Sequence, residues 1–381
     1  MQEGKGRNAT QWAAEMAGST AGSVETSPGA AAGRLRSLDA MRGLAITAMI
    51  FVNVPGALVW PQLQHAAWNG LTVADLVFPA FLVAVGGSLA VGRRPRWVRV
   101  GRRVVVLIAL GLVVNRASFT GPLRYPGVLQ RIAVCYLIAS IVVRLPRVFV
   151  VGVAVFLLAQ YGAVLRVGGM SATRSFGGRV DIAVFGQRHI YHGYRYDPEG
   201  LIGSVAAAAS VLIGYLVMDW IRGQPRALRT AGLVAAFAGA VAALGWLVNV
   251  VQPVNKRMWT PSYTLVTAGA ALIAFALFYI TVDVARLRWL GLPFEVIGAN
   301  AIVVYVASEL GDAGLHRIKT LAAPCTHLPC RVLDGHDWIY QHWFAPWAGA
   351  RPGSLLFSAA FIGVLWIVAA LLWRAKLFVR V

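Results

Sequence analysis

Charged side chains are scarce in this 381-residue chain, at 13% of the total, and the shortage falls on one sign: 15 Asp and Glu against 35 Lys and Arg. So little charge, with 58% hydrophobic residues and a mean hydropathy of +0.66, excludes an ordinary soluble domain. A formal charge of +20 would suit a nucleic-acid binder. The basic residues, however, come in short clusters between apolar runs and not along one polar face, which argues against nucleic acid as a partner. Three cysteines are too few for a disulfide scaffold, and Cys135 lies inside an apolar run as a packing residue. No Gly-rich phosphate loop or serine-hydrolase elbow occurs in a strand-to-helix setting. Residues 1–33 lack any apolar stretch; rich in Ala, Gly, Ser and Thr, they read as a disordered cytoplasmic tail without the apolar region of a signal peptide.

What is present is a series of apolar segments of about the length that spans lipid. They fall at about 39–58, 71–91, 103–115, 128–143, 148–166, 200–220, 229–250, 263–283, 292–311 and 354–373. The expected fold is an all-α, polytopic transmembrane bundle of about ten spans over residues 34–381, the third and fourth spans being short. The larger share of Lys and Arg, including Arg93 to Arg103, falls on the side that holds both termini, so that side is the cytoplasm. Large outer loops remain at about 167–199 and 312–353. Their His, Arg, aromatic and carboxylate residues exceed what a connector needs, so they are expected to cover an outward-facing site.

Polar residues within apolar runs are the candidates for chemistry. Asp75 is a carboxylate in the second run, where it requires a partner or a cavity. Pro79 lacks an N–H and so deprives the Asp75 carbonyl of its helical donor, which predicts an exposed polar acceptor and a cavity beside it. Asn53 lies in the outer part of the first span, fourteen residues or roughly 21 Å beyond Asp39. His65 follows just outside, flanked by Trp60 and Trp68, and by spacing alone it is equally a surface or packing histidine. Ser37 reads as an N-cap and Asp39 as a first-turn acid. Arg36 and Arg42 read as inner anchors; the functional alternative is that Arg34, Arg36 and the Arg93 to Arg103 cluster form a cytoplasmic pocket of guanidinium forks for a phosphorylated donor. Asp197 and Pro198 look like the N-cap and first residue of the sixth span. Capping leaves Glu199 unexplained, and with Arg195 it could hold an acidic or amino group. Cys325 and Cys330 read as a loop-closing disulfide and not, with His336 and His342, as a metal site, because the spacing matches no common zinc pattern.

Taken together, Arg34-Leu-Arg-Ser-Leu-Asp-Ala-Met-Arg-Gly43, His65 to Pro79, Pro126-Gly-Val-Leu-Gln-Arg131, Tyr196-Asp-Pro-Glu-Gly200 and Val254-Asn-Lys256 resemble the heparan-α-glucosaminide N-acetyltransferase family. The resemblance covers most of residues 34–381 and is to the compact bacterial type, set in a bacterial plasma membrane. It implies an acyltransferase that takes acetyl from cytoplasmic acetyl-CoA and delivers it to a glucosamine-type amine across the membrane, with no metal. It also implies that His65 is the catalytic histidine, with Asn53 beside it to meet an oxyanion and Asp75 to orient it. Arg34, Arg36, Arg42 and Arg131 are the expected donor-binding residues. Trp68, Asn69, Asp197, Glu199, Asn255 and Lys256 are those expected for the acceptor. An amino sugar or glycan and membrane lipid are the partners, and a homodimer is compatible. The rival is a sugar or lipid-linked glycan transporter whose path is lined by Asp75, Pro79 and Glu199.

Overall fold

A computed structural model describes residues 35–379 apart from 57, 93, 192–194 and 322–331. Each expected span has a helical counterpart: α1 Arg36–Asn53, α2 Val77–Val91, α3 Trp97–Ser118, α4 Val128–Val142 and α5 Arg147–Gly168. After the short helix α6, Phe176–Phe185, come α7 Leu201–Ile221, α8 Leu228–Asn249 and α9 Pro261–Phe278, which continues as a π-helical turn to Val284. The chain ends with α10 Arg288–Ala299, α11 Ala301–Arg317, a hairpin of β1 Lys319–Leu321 and β2 Val332–Asp334, the short α12 Gly335–Ile339 and α13 Ala345–Ala348, and α14 Ala350–Arg374.

Six of these helices are long and apolar enough to cross a membrane, and α10 with α11, bent by 71°, make a seventh if counted as one. The protein is therefore an integral membrane protein. The ninth expected span is broken because Asn300 interrupts it. Its buried side-chain amide donates to the Leu377 carbonyl at 3.0 Å and accepts from the Val379 N–H at 2.9 Å, so the break is tied to the C-terminal segment. The third segment is not short: α3 has 22 residues and takes Arg99, Arg102 and Arg103 into the helix. Long arginine stems tolerate this by lying along apolar surface, and the Arg103 guanidinium sits 4.4 Å from the Tyr136 ring centre. Ser37 is not the N-cap of α1. The helix begins one residue earlier, and Asp283, brought in by the π-turn, accepts the Ser37 N–H at 3.1 Å.

Lipid supplies no hydrophobic drive between helices, so small residues that let backbones approach decide which helices pair. Two reciprocal glycine contacts do this. A Cβ on Gly43 of α1 would stand 1.8 Å from the Phe294 carbonyl oxygen, and one on Gly298 of α10 would stand 2.1 Å from that of Asp39. In the same way Gly86 of α2 lies against Val211, and Gly214 of α7 against Val83, at 1.9 and 2.1 Å. The α2–α7 pair is central, with 72% of α2's apolar stretch buried, whereas α8 and α14 bury 22% of theirs and turn the rest outward.

Leucine at Gly86 or Gly214 is expected to prise α2 from α7 and cost about 1–3 kcal/mol or more. The same change at Gly239 of α8, where a side chain meets nothing within 4 Å, is expected to be silent. Thermal melting of the detergent-solubilised variants checks both.

Candidate active site

The segment between α1 and α2 folds around Asp75. Thr72 and Asp75 form a capping box over a 3₁₀ turn, Val73–Leu76. The buried carboxylate divides its duties between its oxygens. Oδ2 accepts the Ala66 and Thr72 N–H groups at 3.2 and 3.1 Å and lies 3.0 Å from the Thr72 hydroxyl. Oδ1 faces the His65 Nδ1 at 3.0 Å and the Lys256 ammonium at 3.5 Å. A carboxylate only accepts, so we assign the Nδ1–H tautomer to His65, which leaves Nε2 with a lone pair. The Lys256 Nζ lies across that ring edge, 2.9 and 3.1 Å from Nδ1 and Nε2.

Lys256 is carried by the turn between α8 and α9. Asn255 shapes it by accepting the Met258 N–H at 2.8 Å through Oδ1 and donating through Nδ2 to Asn69 Oδ1 at 2.9 Å. Gly70 N–H to the Val254 carbonyl, 2.8 Å, ties the same turn to the His65 segment. Within the turn Trp259 has a φ of 53°, a left-handed conformation that a bulky residue adopts only when its surroundings enforce it. Here the Arg131 guanidinium lies 4.6 Å from the centre of its ring, and Phe78 and Tyr263 meet that ring edge-on. Burial lowers the affinity of Lys256 for its proton, more than the nearby Asp75 and Glu199 charges raise it.

A second network adjoins the first. Arg124, which the sequence reading did not single out, is buried and forks onto Asp197 and Glu199. Burial pushes the Glu199 carboxyl up, but the Arg124 and Arg131 guanidiniums outweigh that and hold it below the usual range. Arg131 donates to the Pro198 carbonyl at 2.6 Å and to Ser204 Oγ at 3.1 Å. Asp197 is thus not the helix cap. α7 starts at Leu201, and Asp181 from α6 accepts its N–H at 2.9 Å. Gly200 is required there, since a Cβ would lie 2.0 Å from Asp181 Oδ2. Glu199 pairs with Arg124, not Arg195, because the segment before α7 folds back towards the segment that leads into α4.

Between the networks lies a cavity of about 250 Å³, with Asn53, His65, Arg124, Arg131, Glu199 and Lys256 on its wall and Phe78 and Trp259 among its apolar lining. The cavity reaches Ala74, Val77 and Phe78 but neither Asp75 nor Pro79, and the orphan Asp75 carbonyl does not face it. Tyr263 Oη donates to that oxygen at 2.6 Å. Asn53 reaches the cavity yet gives its amide to Glu309 Oε1 at 3.1 Å, not to His65. Trp68 packs edge-on to Tyr196, and Asn69 and Asn255 act on the loops that carry His65 and Lys256. Arg36 and Arg42 lie towards the other end of α1, Arg36 roughly 25 Å from Asn53 along the helix. They are held there by Glu295 at 2.9 Å and by the Gly298 carbonyl at 2.7 Å. Arg34, and the expected Cys325–Cys330 disulfide, fall outside the described residues. Glu309 was legible in principle, as a carboxylate in an apolar run like Asp75.

Residues 34–172 match the family model described as "Heparan-alpha-glucosaminide N-acetyltransferase, catalytic". The chain is 28% identical to the heparan-alpha-glucosaminide N-acetyltransferases of Homo sapiens and Mus musculus, over 73% of its own length and 53% and 54% of theirs. It spans about half the length of these relatives.

Two outcomes are expected of the site's scaffolding. Tyr263→Phe leaves the Asp75 carbonyl unpaired at a cost of about 1–3 kcal/mol, and a Tyr263→Phe/Pro79→Ala double variant, which restores an N–H at position 79, recovers part of it in thermal melts. Asp181, whose carboxyl burial pushes up to about 6, is the second. A raised folded-state pKa favours the protonated form, so its stabilisation is complete at low pH and lost as pH rises through 6. Relative to the parent, Asp181→Asn should therefore gain stability between about pH 4 and 7, by about 3 kcal/mol at most, read as the difference in melting midpoint.

Proposed function

We propose that the chain is a member of the heparan-alpha-glucosaminide N-acetyltransferase family, to which it is similar over residues 34–172 and at 28% identity, and that it transfers acetyl from acetyl-CoA to the amine of a glucosamine-type sugar. The observation that carries the reading is the Asp75–His65–Lys256 row, of which His65 and Lys256 line the cavity and Asp75 is buried behind them. Asp75 fixes the imidazole so that Nε2 is the basic nitrogen facing the cavity. Such a nitrogen takes the proton of an attacking amine as the C–N bond forms, and returns it to the departing thiolate as the C–S bond breaks. It is equally a nucleophile for a transient acetyl-imidazole.

The lining supports the donor's reactive end. Phe78 and Trp259 offer apolar wall to a thioester arm, and Arg131, held rigid by Ser204 and Pro198, places a fixed cation beside it. Lys256, its charge weakened by burial, gives up its contact with Nε2 when the acceptor amine enters, and it then faces the developing oxyanion together with the Asn53 amide. The acidic acceptor side is Glu199, with Asp197 behind it as the partner that holds Arg124. The cavity of about 250 Å³ receives the reacting groups, with the donor's nucleotide lying beyond it. The donor therefore extends towards the basic cytoplasmic end, where Arg34, Arg36 and Arg42 lie in sequence. In this arrangement ten segments cross a bacterial plasma membrane, both termini are cytoplasmic, and acetyl passes outward.

Acetyl transfer from labelled acetyl-CoA to glucosamine by the purified protein tests the proposal. His65→Ala and Asp75→Asn are each expected to lower the rate at least about 10²-fold with the variants still folded. A parent that neither transfers acetyl nor binds acetyl-CoA would sink the enzyme reading and favour transport.

A further inference from the structure

A second cluster of histidines and carboxylates lies where α11 ends and the outer segment begins, apart from the cavity lining. We propose that Asp312, His316 and His336 form a binding site for a divalent transition-metal ion of the zinc class, which staples the end of α11 to α12.

Asp312 and His316 are four residues apart and share one face of α11, and His336 comes from α12. One ligand atom from each of the three lies within 4.8 Å of the other two. Asp312 Oδ2 is 3.6 Å from His316 Nε2, and Asp312 Oδ1 is 3.7 Å from His336 Nε2. A tetrahedral ion with bonds of about 2.0–2.1 Å needs ligand separations of roughly 3.4 Å, so small side-chain movements suffice.

The outer partners set the tautomers. His316 Nδ1 lies 2.7 Å from Asp334 Oδ2, and His336 Nδ1 lies 3.4 Å from Asp337 Oδ1. Each carboxylate takes the Nδ1 proton and leaves the Nε2 lone pair for an ion, the arrangement that orients histidine ligands in metal sites. Asp334 is itself fixed, because its other oxygen caps α12 by accepting the Asp337 N–H at 2.8 Å.

Two further observations point to a cation. Asp312 Oδ1 is buried and accepts no hydrogen bond among the described residues, which is uncommon for a carboxylate. Three carboxylates converge here, and no Lys or Arg pairs with any of them among the described residues; Lys319, opposite Asp334 across the hairpin, gives its ammonium to the His316 carbonyl at 3.1 Å. The two rings also stack at 4.6 Å with 21° between their planes, which neutral, metal-bound imidazoles tolerate better than two imidazolium ions. The consequence reaches the cavity. Glu309, less than one turn before Asp312, holds the Asn53 amide, so fixing the end of α11 fixes that partner.

The test is a titration of the tag-free, chelator-stripped, detergent-solubilised full chain with Zn²⁺ against a chromophoric competitor. The expected result is one Zn²⁺ per chain, a higher melting midpoint in its presence, and visible absorption from Co²⁺ in a four-coordinate site. The Co²⁺ spectrum should lack the thiolate charge-transfer band that Cys325 or Cys330 would add. Asp312→Asn and His316→Ala should each weaken binding at least tenfold, whereas His342→Ala, whose ring bonds the Trp338 carbonyl, should not. No stoichiometric binding by the parent, a thiolate band in place of the expected spectrum, or parent-like binding by the Asp312 and His316 variants would overturn the proposal and leave an ion-pair cluster only. Should either variant fail to fold, the parent's stoichiometry and Co²⁺ spectrum still decide.

Discussion

A carboxylate enclosed in an apolar bundle must have its charge answered on every lone pair, and Asp75 is where this protein meets that demand. Two backbone N–H groups, a hydroxyl, an imidazole and an ammonium converge on it. These partners belong to a segment close by in sequence and to a turn some 180 residues away, so the requirement of one charge brings the two together. The orientation of His65, the placing of Lys256 and the seating of α2 against α9 through Tyr263 all follow from that anchor.

The Arg124 network repeats the logic with signs reversed. A buried guanidinium calls in two carboxylates from the loop before α7, and Arg124 and Glu199 then form part of the cavity wall. Removing one partner would strand the other charges, which makes such pairs better at specifying one arrangement than at adding net stability. The result is a cavity whose charged side chains already have partners, the arrangement in which fixed dipoles and charges act on a reacting group.

Much of this was readable from residue types. All ten apolar segments correspond to helices, and Asp75, Pro79, His65 and Lys256 were singled out because charge, a missing N–H or motif order made them conspicuous. What misled was the assumption that each polar residue answers its nearest neighbour. Asp197 has the position of a cap for the helix beside it, but Asp181 accepts the first N–H of that helix and Asp197 serves Arg124. Ser37 was read as a cap, while Asp283 holds its N–H from 246 residues away. The Pro79-orphaned carbonyl was expected to face a cavity and instead meets Tyr263.

By itself the sequence determined the class of protein and its helices, because lipid imposes a length and a polarity that each segment must satisfy alone. It also determined which groups could not remain unpartnered. Only the tertiary structure decided the partners: Arg124 with Glu199, Glu309 with Asn53, and Asp312 with the two histidines. Those choices depend on how helices approach one another, and the approach is set by reciprocal glycine contacts such as Gly86–Val211 and Gly214–Val83. Spacing along the chain carries no record of such contacts, since both members of a pair satisfy the local rules for a helix equally well in many other packings.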